Sequence, residues 1–172
     1  MFPKAHATAY VLSAMRIAWF KVYRPLLFYS AFFSIRATQF DMETMCAGKN
    51  AVYNKIMEIE SLKKGVPVQN NNDDENNDEG TKKINTQSKT TEELLTTLQV
   101  SLEMLSRGFK FKLVDINQSE ASKFKIIDDK TLLMPFSSVN GMGMSVCSDI
   151  VEKRNERPFT SKKDVKDRTK IN

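Results

Sequence analysis

The sequence predicts a mainly α-helical chain with a small β hairpin or sheet, on the strength of three observations. Apolar residues recur at helical spacing over 5–23 and again after Pro25, a polar low-complexity stretch divides the chain, and residues 109–116 alternate between apolar and polar. We therefore predict a helical segment over 1–65, a disordered Asn/Asp-rich linker over 66–90, and a segment over 91–172 that contains a helix, a hairpin and further helices.

Three helices are predicted before the linker. The first covers 5–23 and has apolar residues on most faces, so we expect it to be buried in a larger body. Pro25 fits the first turn of the second helix, 26–35, which is too aromatic to stand in water without partners. Asp41 is a suitable N-cap for a third helix that runs to residue 64 and ends at Gly65.

The linker and the elements after it follow from composition and spacing. Asn, Asp and Glu dominate residues 69–80, which have too little apolar surface to offset the entropy lost on ordering. The next helix is predicted to start at Thr90 or Thr91, with Thr90 and Glu93 as a capping box, and to end at Gly108. A strand over 109–116 and a hairpin of 124–127 with 131–133 complete the sheet.

Composition excludes several classes of protein. The chain has 172 residues and a net charge of +5, with nine basic against four acidic residues in 1–65 and eight against five in 141–172. Two cysteines and one histidine cannot form a structural zinc site, and they fit a reducing cytoplasm. Charged residues and Pro25 interrupt the apolar stretch 9–33, so we expect no membrane span.

Residues 136–154 have the spacing of a helix-hairpin-helix element. Apolar residues at 136 and 139 lead to Gly141-Met142-Gly143, and a small residue, Cys147, follows. The two glycines allow a tight turn with close backbone approach to a ligand, and Met142 anchors the turn in the core. The hairpin amides and the start of the next helix then form an anion site suited to a DNA phosphate.

Such a hairpin positions duplex DNA without reading its sequence. Lys153, Arg154 and Arg157 add positive charge, whereas Asn140 replaces the proline that is usual before the first glycine. The alternative is a glycine turn between two packed helices. A further capped helix is expected after Pro158. The residues predicted to contact DNA are Asn140, Gly141, Met142, Gly143, Ser145, Lys153 and Arg154.

The start of the first helix offers a second candidate site. Lys4 is a mobile cation and His6 a donor, and both lie near a helix N-terminus, where the dipole favours an anion such as a triphosphate. Tyr10 lies one turn beyond His6 on the same face and could stack on a base or sugar. The alternative is that Lys4 and His6 are simply solvated.

These motifs, in this order, resemble the bacterial C-family replicative DNA polymerases, and in particular the Gram-positive PolC type. The resemblance spans nearly the whole chain except 66–90. It is carried by 1–12, Arg16-Ile17-Ala18, Phe20-Lys21, Pro25, Ile35-Arg36-Ala37, Phe40-Asp41, 94–98, Arg107-Gly108-Phe109, Leu133-Met134-Pro135-Phe136, Gly141-Met142-Gly143, Ile150-Val151-Glu152, Phe159 and Ser161-Lys162-Lys163-Asp164.

The resemblance implies part of an enzyme of DNA-templated DNA synthesis. Lys4 and His6 match the family's basic motif for the incoming deoxynucleoside triphosphate, and the hairpin region matches its duplex-binding domain. The palm aspartates of the family have no counterpart here, because Asp73-Asp74 falls in the linker and Asp128-Asp129 in a turn. We therefore expect no cofactor in this fragment, Mg²⁺ in the full-length enzyme, and no polymerase activity of the fragment alone.

The resemblance also has departures. Residues 66–90 are longer than the family's connection, which suggests an insertion, and the family's sliding-clamp peptide is missing. We interpret the chain as a truncated or split reading frame whose partners are duplex DNA, a nucleotide and the missing N-terminal part of the polymerase. The alternatives are a stand-alone helix-hairpin-helix DNA-binding protein and a membrane-associated helical protein built on 9–33.

Overall fold

The computed structural model describes residues 3–65 and 78–171, with side chains described over 3–62 and 89–171. These ranges contain seven α-helices, one short 3-10 helix and a three-stranded sheet. The prediction of a mainly helical chain with a small sheet is confirmed. None of the helices in the described ranges is long and apolar enough to cross a membrane.

The first two helices lie where the sequence predicts them. Helix α1 spans Lys4–Tyr23, and α2 spans Pro25–Ile35 with the proline in its first turn, where a missing N–H costs no helical hydrogen bond. α1 buries no residue, so the rest of the described chain does not supply the enclosure that its apolar composition predicts. α2 buries three residues that recur along one helical face: Leu26, Tyr29 and Phe33.

The third predicted helix is divided in two, and the prediction of one continuous helix is wrong. α3 spans Met42–Ala47 and α4 spans Lys49–Gly65. Asp41 caps α3 as predicted, since its Oδ1 accepts the N–H of Thr44 at 3.1 Å. The break falls at Gly48, whose φ of 102° and ψ of −175° form a conformation essentially restricted to glycine.

Helix α5 is longer than predicted. It spans Asp78–Ser106, so it begins before the predicted start at Thr90 or Thr91, and Thr90 lies inside the helix instead of capping it. Extending a formed helix adds a hydrogen bond per residue without a new nucleation step, which favours its continuation into polar sequence. Of the predicted linker, 66–77 lies outside the described residues and 78–90 is the beginning of α5.

The C-terminal end of α5 is closed as the sequence predicts. Gly108 has a φ of 84°, and its N–H donates to the carbonyl of Leu105 at 3.0 Å. The N–H of Phe109 donates to the carbonyl of Met104 at 3.3 Å. These two bonds form a Schellman motif, which satisfies carbonyls that the end of a helix leaves without partners.

The sheet has the order β1-β3-β2, with β1 Lys110–Lys112, β2 Lys125–Asp128 and β3 Thr131–Leu133. β2 and β3 form the predicted antiparallel hairpin, and β1 pairs with β3 in parallel. The strand predicted over 109–116 is shorter, because Asp115 Oδ1 accepts the N–H of Asn117 at 2.9 Å and turns the chain out of the sheet.

Two hydrophobic clusters support the fold. The larger joins α2, α4, α5 and the sheet, and its fully buried members include Tyr29, Phe33, Met45, Val52, Leu98 and Leu132. The smaller contains Phe136, Cys147 and Ile150 at its centre. Val114 packs against both clusters, so the segment that follows β1 connects them.

The C-terminal part of the chain contains two helices, of which the first packs in the smaller cluster. A 3-10 helix at Phe136–Ser138 precedes α6, Met144–Glu156, and α7 follows at Lys162–Arg168. The predicted capped helix after Pro158 is confirmed, since the Ser161 hydroxyl accepts the N–H of Asp164 at 3.1 Å.

The glycine between α3 and α4 yields a stability test. Gly48→Ala places a side chain at a backbone conformation that only glycine tolerates, so we expect the free energy of unfolding to fall by about 1–3 kcal/mol. Urea unfolding followed by circular dichroism measures this loss. Lys49→Ala, one residue on in an exposed helical position, is the matched control. Equal stability of the two variants would contradict the assignment of the break to Gly48.

Candidate nucleic-acid and nucleotide interface

The turn before α6 has the geometry of a hairpin tip. The N–H of Met142 donates to the carbonyl of Val139 at 3.2 Å and closes a four-residue turn. Gly141, the third residue of this turn, has a φ of 80°, which a turn of type II requires at that position. Asn140 and Gly141 are exposed. The turn therefore presents backbone, rather than a bulky side chain, to the outside.

Gly143 begins α6 and leaves its first amides open. Its carbonyl accepts the N–H groups of Val146 at 3.0 Å and Cys147 at 3.1 Å. Met144 and Ser145 occupy the first two helical positions, whose N–H groups have no carbonyl one turn earlier to bond. These amides and the positive end of the helix dipole point the same way, which is the arrangement that binds an anion.

The two glycines of the hairpin have different roles, since only Gly141 has a backbone conformation that favours glycine. Its φ of −69° and ψ of 149° are open to any residue. A Cβ built on Gly143 meets no atom within 4 Å. Gly141 is required by its backbone conformation, whereas Gly143 keeps the space in front of the helix start clear.

Met142 anchors the hairpin as predicted. Its side chain is half-buried and packs on the smaller hydrophobic cluster, whereas Ser145 is exposed at the start of α6. Cys147, fully buried below the turn, has its Sγ 3.9 Å from the carbonyl oxygen of Met142. Burial raises the pKa of the Cys147 thiol, so this side chain stays neutral and serves packing.

Two of the residues predicted to contact DNA lie away from the hairpin. Lys153 and Arg154 are in the last turn of α6, about 14 Å along the helix axis from Met144 at 1.5 Å per residue. Arg154 Nη1 donates to the carbonyl of Ser119 at 2.5 Å, and Lys153 Nζ pairs with Glu156 at 2.8 Å. The structure thus directs Arg154 toward the loop after β1 and places both cations at the opposite end of α6 from the turn, while their contact with DNA stays a prediction.

The junction of α6 and α7 is held by ionic hydrogen bonds. Asp164 Oδ1 accepts from Arg157 at 2.9 Å, and its Oδ2 accepts from Arg168 at 3.2 Å. Arg168 Nη2 also donates to the carbonyls of Lys153 at 2.5 Å and Arg157 at 3.0 Å at the end of α6. Arg157, predicted to add affinity for DNA, therefore takes part in this junction.

The N-terminal candidates lie together on α1. Lys4 is its first residue, and the N–H groups of His6 and Ala7 donate to the Pro3 carbonyl at 3.0 and 3.2 Å. The rings of His6 and Tyr10 meet edge to face, with centroids 4.5 Å apart, so the predicted shared face is confirmed. Lys4, His6 and Tyr10 are all exposed. The helix start thus displays a cation, an imidazole and an aromatic ring to the same surroundings.

Within the described ranges, no group of three or more His, Cys, Asp or Glu residues could hold a metal ion. Asp128 is the last residue of β2, and its Oδ1 accepts the N–H of Lys130 in the turn to β3 at 2.8 Å. The described residues therefore do not fit a Mg²⁺ site.

Comparison with known proteins identifies relatives of this chain. A family model described as "Helix-hairpin-helix motif" matches residues 108–172. The DNA polymerase III PolC-type of Lacticaseibacillus paracasei is 44% identical over 99% of this chain. The PolC-type enzymes of Oceanobacillus iheyensis and Streptococcus mutans are 44% and 43% identical over 99% and 98% of it. The chain is a segment of PolC-type sequence.

This PolC segment spans about 10% of the length of the relatives it matches. The match includes both candidate sites, since it covers 171 of the residues of this chain in the first relative. The expected resemblance to PolC and the helix-hairpin-helix element are therefore confirmed.

Sequence reasoning missed several residues that shape these sites. Glu103 and Arg107 bond to Lys21 near the end of α1, and Arg168 bonds to the Lys153 carbonyl near the end of α6. Each contact joins residues far apart in the chain, so no local spacing reveals it. The only available signal was a basic residue, Arg107, directly before a helix-ending glycine, a position that favours cations.

The α6–α7 junction gives a pH prediction. Bonds from Thr160 and the guanidinium groups of Arg168 and Arg157 hold the pKa of Asp164 below its ordinary value of 3.8. The stabilisation is complete above 3.8 and is lost as the pH falls through the lower folded-state pKa. Wild type should therefore lose more stability than Asp164→Asn below pH 3.8, measured by thermal unfolding across pH.

Asp167→Asn removes the same charge from the same helix and is the control for this experiment. It should retain the steep acid loss of wild type. An identical acid dependence of wild type and Asp164→Asn would show that the junction bonds do not stabilise the ionised carboxylate.

Proposed function

We propose that this PolC segment contributes two phosphate-binding surfaces to a replicative DNA polymerase of the cytoplasm. One is the hairpin at Gly141–Ser145, for the duplex, and the other is the start of α1 with Lys4, for the incoming nucleoside triphosphate. The observation that carries the proposal is a hairpin with open amides at Met144 and Ser145 in a chain 44% identical to PolC-type polymerases.

The hairpin surface suits the backbone of duplex DNA. The open amides of α6 donate to phosphate oxygens, and the clear space at Gly143 lets the sugar–phosphate chain approach. Backbone amides contact the repeating phosphate rather than base edges, so they hold any sequence. A polymerase needs this property because it must move along its template regardless of sequence.

The α1 surface suits a triphosphate. The first amides of the helix and the Lys4 ammonium together offer positive charge to the phosphates, and His6 and Tyr10 flank them on one face. Because Lys4 lies at the helix start, its charge adds to the helix dipole rather than opposing it. The phosphates are common to all four nucleotides, so this surface supplies affinity without selecting a base.

The palm carboxylates that PolC-type polymerases require have no counterpart in the described residues of this segment. We therefore propose that the segment alone does not polymerise, and that it acts with the remaining part of the polymerase and Mg²⁺. Template-dependent nucleotide incorporation by the purified chain would contradict this.

The hairpin should bind duplex DNA weakly and without sequence preference. Because the described residues contain a single hairpin of this kind, we expect a Kd no better than about 10⁻⁴–10⁻⁶ M. The affinity should decrease steeply as the salt concentration rises. Gly143→Val should weaken binding because it fills the space where the phosphate approaches, while leaving the fold intact. Fluorescence anisotropy with two labelled duplexes of unrelated sequence, over a salt series, measures both effects.

Asn155→Val is the matched control, since it adds the same side chain at the exposed far end of α6. It should bind as wild type does. If Gly143→Val remains folded and binds equally well, or if binding does not depend on salt, the turn is only structural.

Lys4 should contribute to the affinity for every nucleotide. In a chimaeric PolC that carries this chain in place of its own matching segment, Lys4→Ala removes a charge-assisted contact to the triphosphate, at a cost of about 1.5–3 kcal/mol. We expect KM to rise roughly 10- to 100-fold for all four nucleotides in steady-state incorporation assays. Lys49→Ala, an exposed cation at the start of α4, is the control. An effect on one nucleotide alone would place Lys4 near a base instead.

A further inference from the structure

Helix α1 is held to the rest of the chain chiefly at one end. It buries no residue, and its large apolar side chains are exposed, among them Met15 at 64% and Ile17 at 58%. At its C-terminal end the backbone turns at Arg24, with a φ of −137° and a ψ of 57°, before α2 begins. Whatever fixes the direction of α1 in this chain must therefore act near Tyr23.

A cluster of four polar side chains occupies that place. Glu103 of α5 accepts from Lys21 Nζ at 2.7 Å through Oε2 and from the Tyr29 hydroxyl at 3.1 Å through Oε1. Arg107 Nη1 donates to the carbonyl of Lys21 at 3.0 Å and to the Tyr29 hydroxyl at 3.1 Å. We call Lys21, Tyr29, Glu103 and Arg107 the α1 clamp. The clamp bonds to both the side chain and the backbone carbonyl of one α1 residue, Lys21.

The clamp stands on a rigid support. Tyr29 is completely buried, and the aromatic core around it fixes the position of its ring. Burial raises the pKa of Tyr29, so its hydroxyl keeps its proton and donates to Glu103 while it accepts from Arg107. An exposed ion pair holds a helix only weakly. Here the Lys21–Glu103 pair is bonded to a buried phenol and a guanidinium, so two further partners fix its geometry.

The clamp lies far from the residues whose position it fixes. Lys4 is 17 residues from Lys21 on the same helix, about 26 Å at 1.5 Å per residue. A rotation of α1 by only about 10° at the clamp would move Lys4 by roughly 4–5 Å over that length. A displacement of a substrate-positioning group by about 1 Å can already lower the reaction rate by two orders of magnitude.

We infer that the Lys21–Tyr29–Glu103–Arg107 clamp sets the direction of α1, and that these are positioning residues for the triphosphate-binding surface at Lys4 and His6. This inference rests on the proposed function for its second half only. The first half, that the clamp fixes α1, concerns the isolated chain and can be tested without nucleotide.

The chain contains a natural fluorescent probe that can test whether the clamp fixes the direction of α1. Trp19 is its only tryptophan, and it lies on α1 next to the clamp, half-exposed and against the rings of Phe20 and Tyr23. In time-resolved fluorescence anisotropy of the full chain, the decay of Trp19 in wild type should report only overall tumbling. Glu103→Gln and Tyr29→Phe should add a nanosecond segmental component, because each removes clamp bonds without emptying the core.

Two further variants make this test specific. Glu58→Gln applies the same chemical change to the exposed Lys55–Glu58 pair on α4 and should leave the decay of Trp19 unchanged. Lys21→Arg keeps the charge and a donor, and it should behave as wild type. Glu103→Gln and Tyr29→Phe decays that match wild type, in chains that remain folded by circular dichroism, would overturn the inference.

The second half is tested by incorporation kinetics in the chimaeric PolC. Glu103→Gln should raise KM for all four nucleotides in equal proportion, by roughly tenfold or more. Lys21→Met should also raise KM, whereas Lys21→Arg should have the KM of wild type. If Lys4→Ala raises KM and Glu103→Gln does not, the clamp does not position Lys4. If neither raises KM, the triphosphate role of α1 is wrong, and the Trp19 result still decides whether the clamp fixes the helix.

Discussion

The packing of aromatic rings around Phe33 is the interaction on which the rest of this structure depends. Its ring centroid is 5.2 Å from that of Phe111 in β1, 5.4 Å from that of Phe124 before β2, and 6.5 Å from that of Tyr29 one turn earlier in α2. These contacts connect the N-terminal helices to a sheet some 80 residues later. Aromatic pairs at such separations stabilise a fold beyond the area they bury.

From the core, the two sites are reached in different ways. The hairpin is built on a second small cluster around Ile150, so its turn and its helix start are fixed by local packing. The start of α1 has no such support, and polar bonds at the far end of the helix determine where it lies. In our proposal both surfaces bind phosphate through backbone amides and a helix dipole. Buried side chains fix the position of the hairpin, whereas hydrogen bonds at the opposite end of α1 fix the position of Lys4.

The parts of this structure that the sequence predicted are those set by neighbours in the chain. The helix starts at Pro25, Asp41 and Ser161, the helix end at Gly108 and the β2–β3 hairpin all depend on a few consecutive residues. The hairpin tip and the shared face of His6 and Tyr10 were predictable for the same reason. Propensity and capping chemistry act locally, which is why one sequence reveals them.

The features that the sequence did not predict depend on contacts between residues far apart in the chain or on a single backbone angle. The division at Gly48 is decided by a positive φ that helical periodicity on both sides conceals. Arg154 has the charge of a DNA contact, yet it donates to Ser119 across 35 residues. The α1 clamp joins side chains up to 86 residues apart. Such pairs are products of the folded core, so no local pattern contains them.

The pairing of α4 with α5 has a consequence for how this protein can vary between lineages. The two helices pack on one another, with Ile56 and Leu98 buried in the same cluster, and Gly65 of α4 precedes Asp78 of α5 in the chain. The entropic cost of closing a connection grows only slowly with its length, so residues added between these two positions cost little stability. Neither Lys4 nor Gly141 lies on that connection. A change in length between α4 and α5 is therefore tolerated more easily than one within either helix.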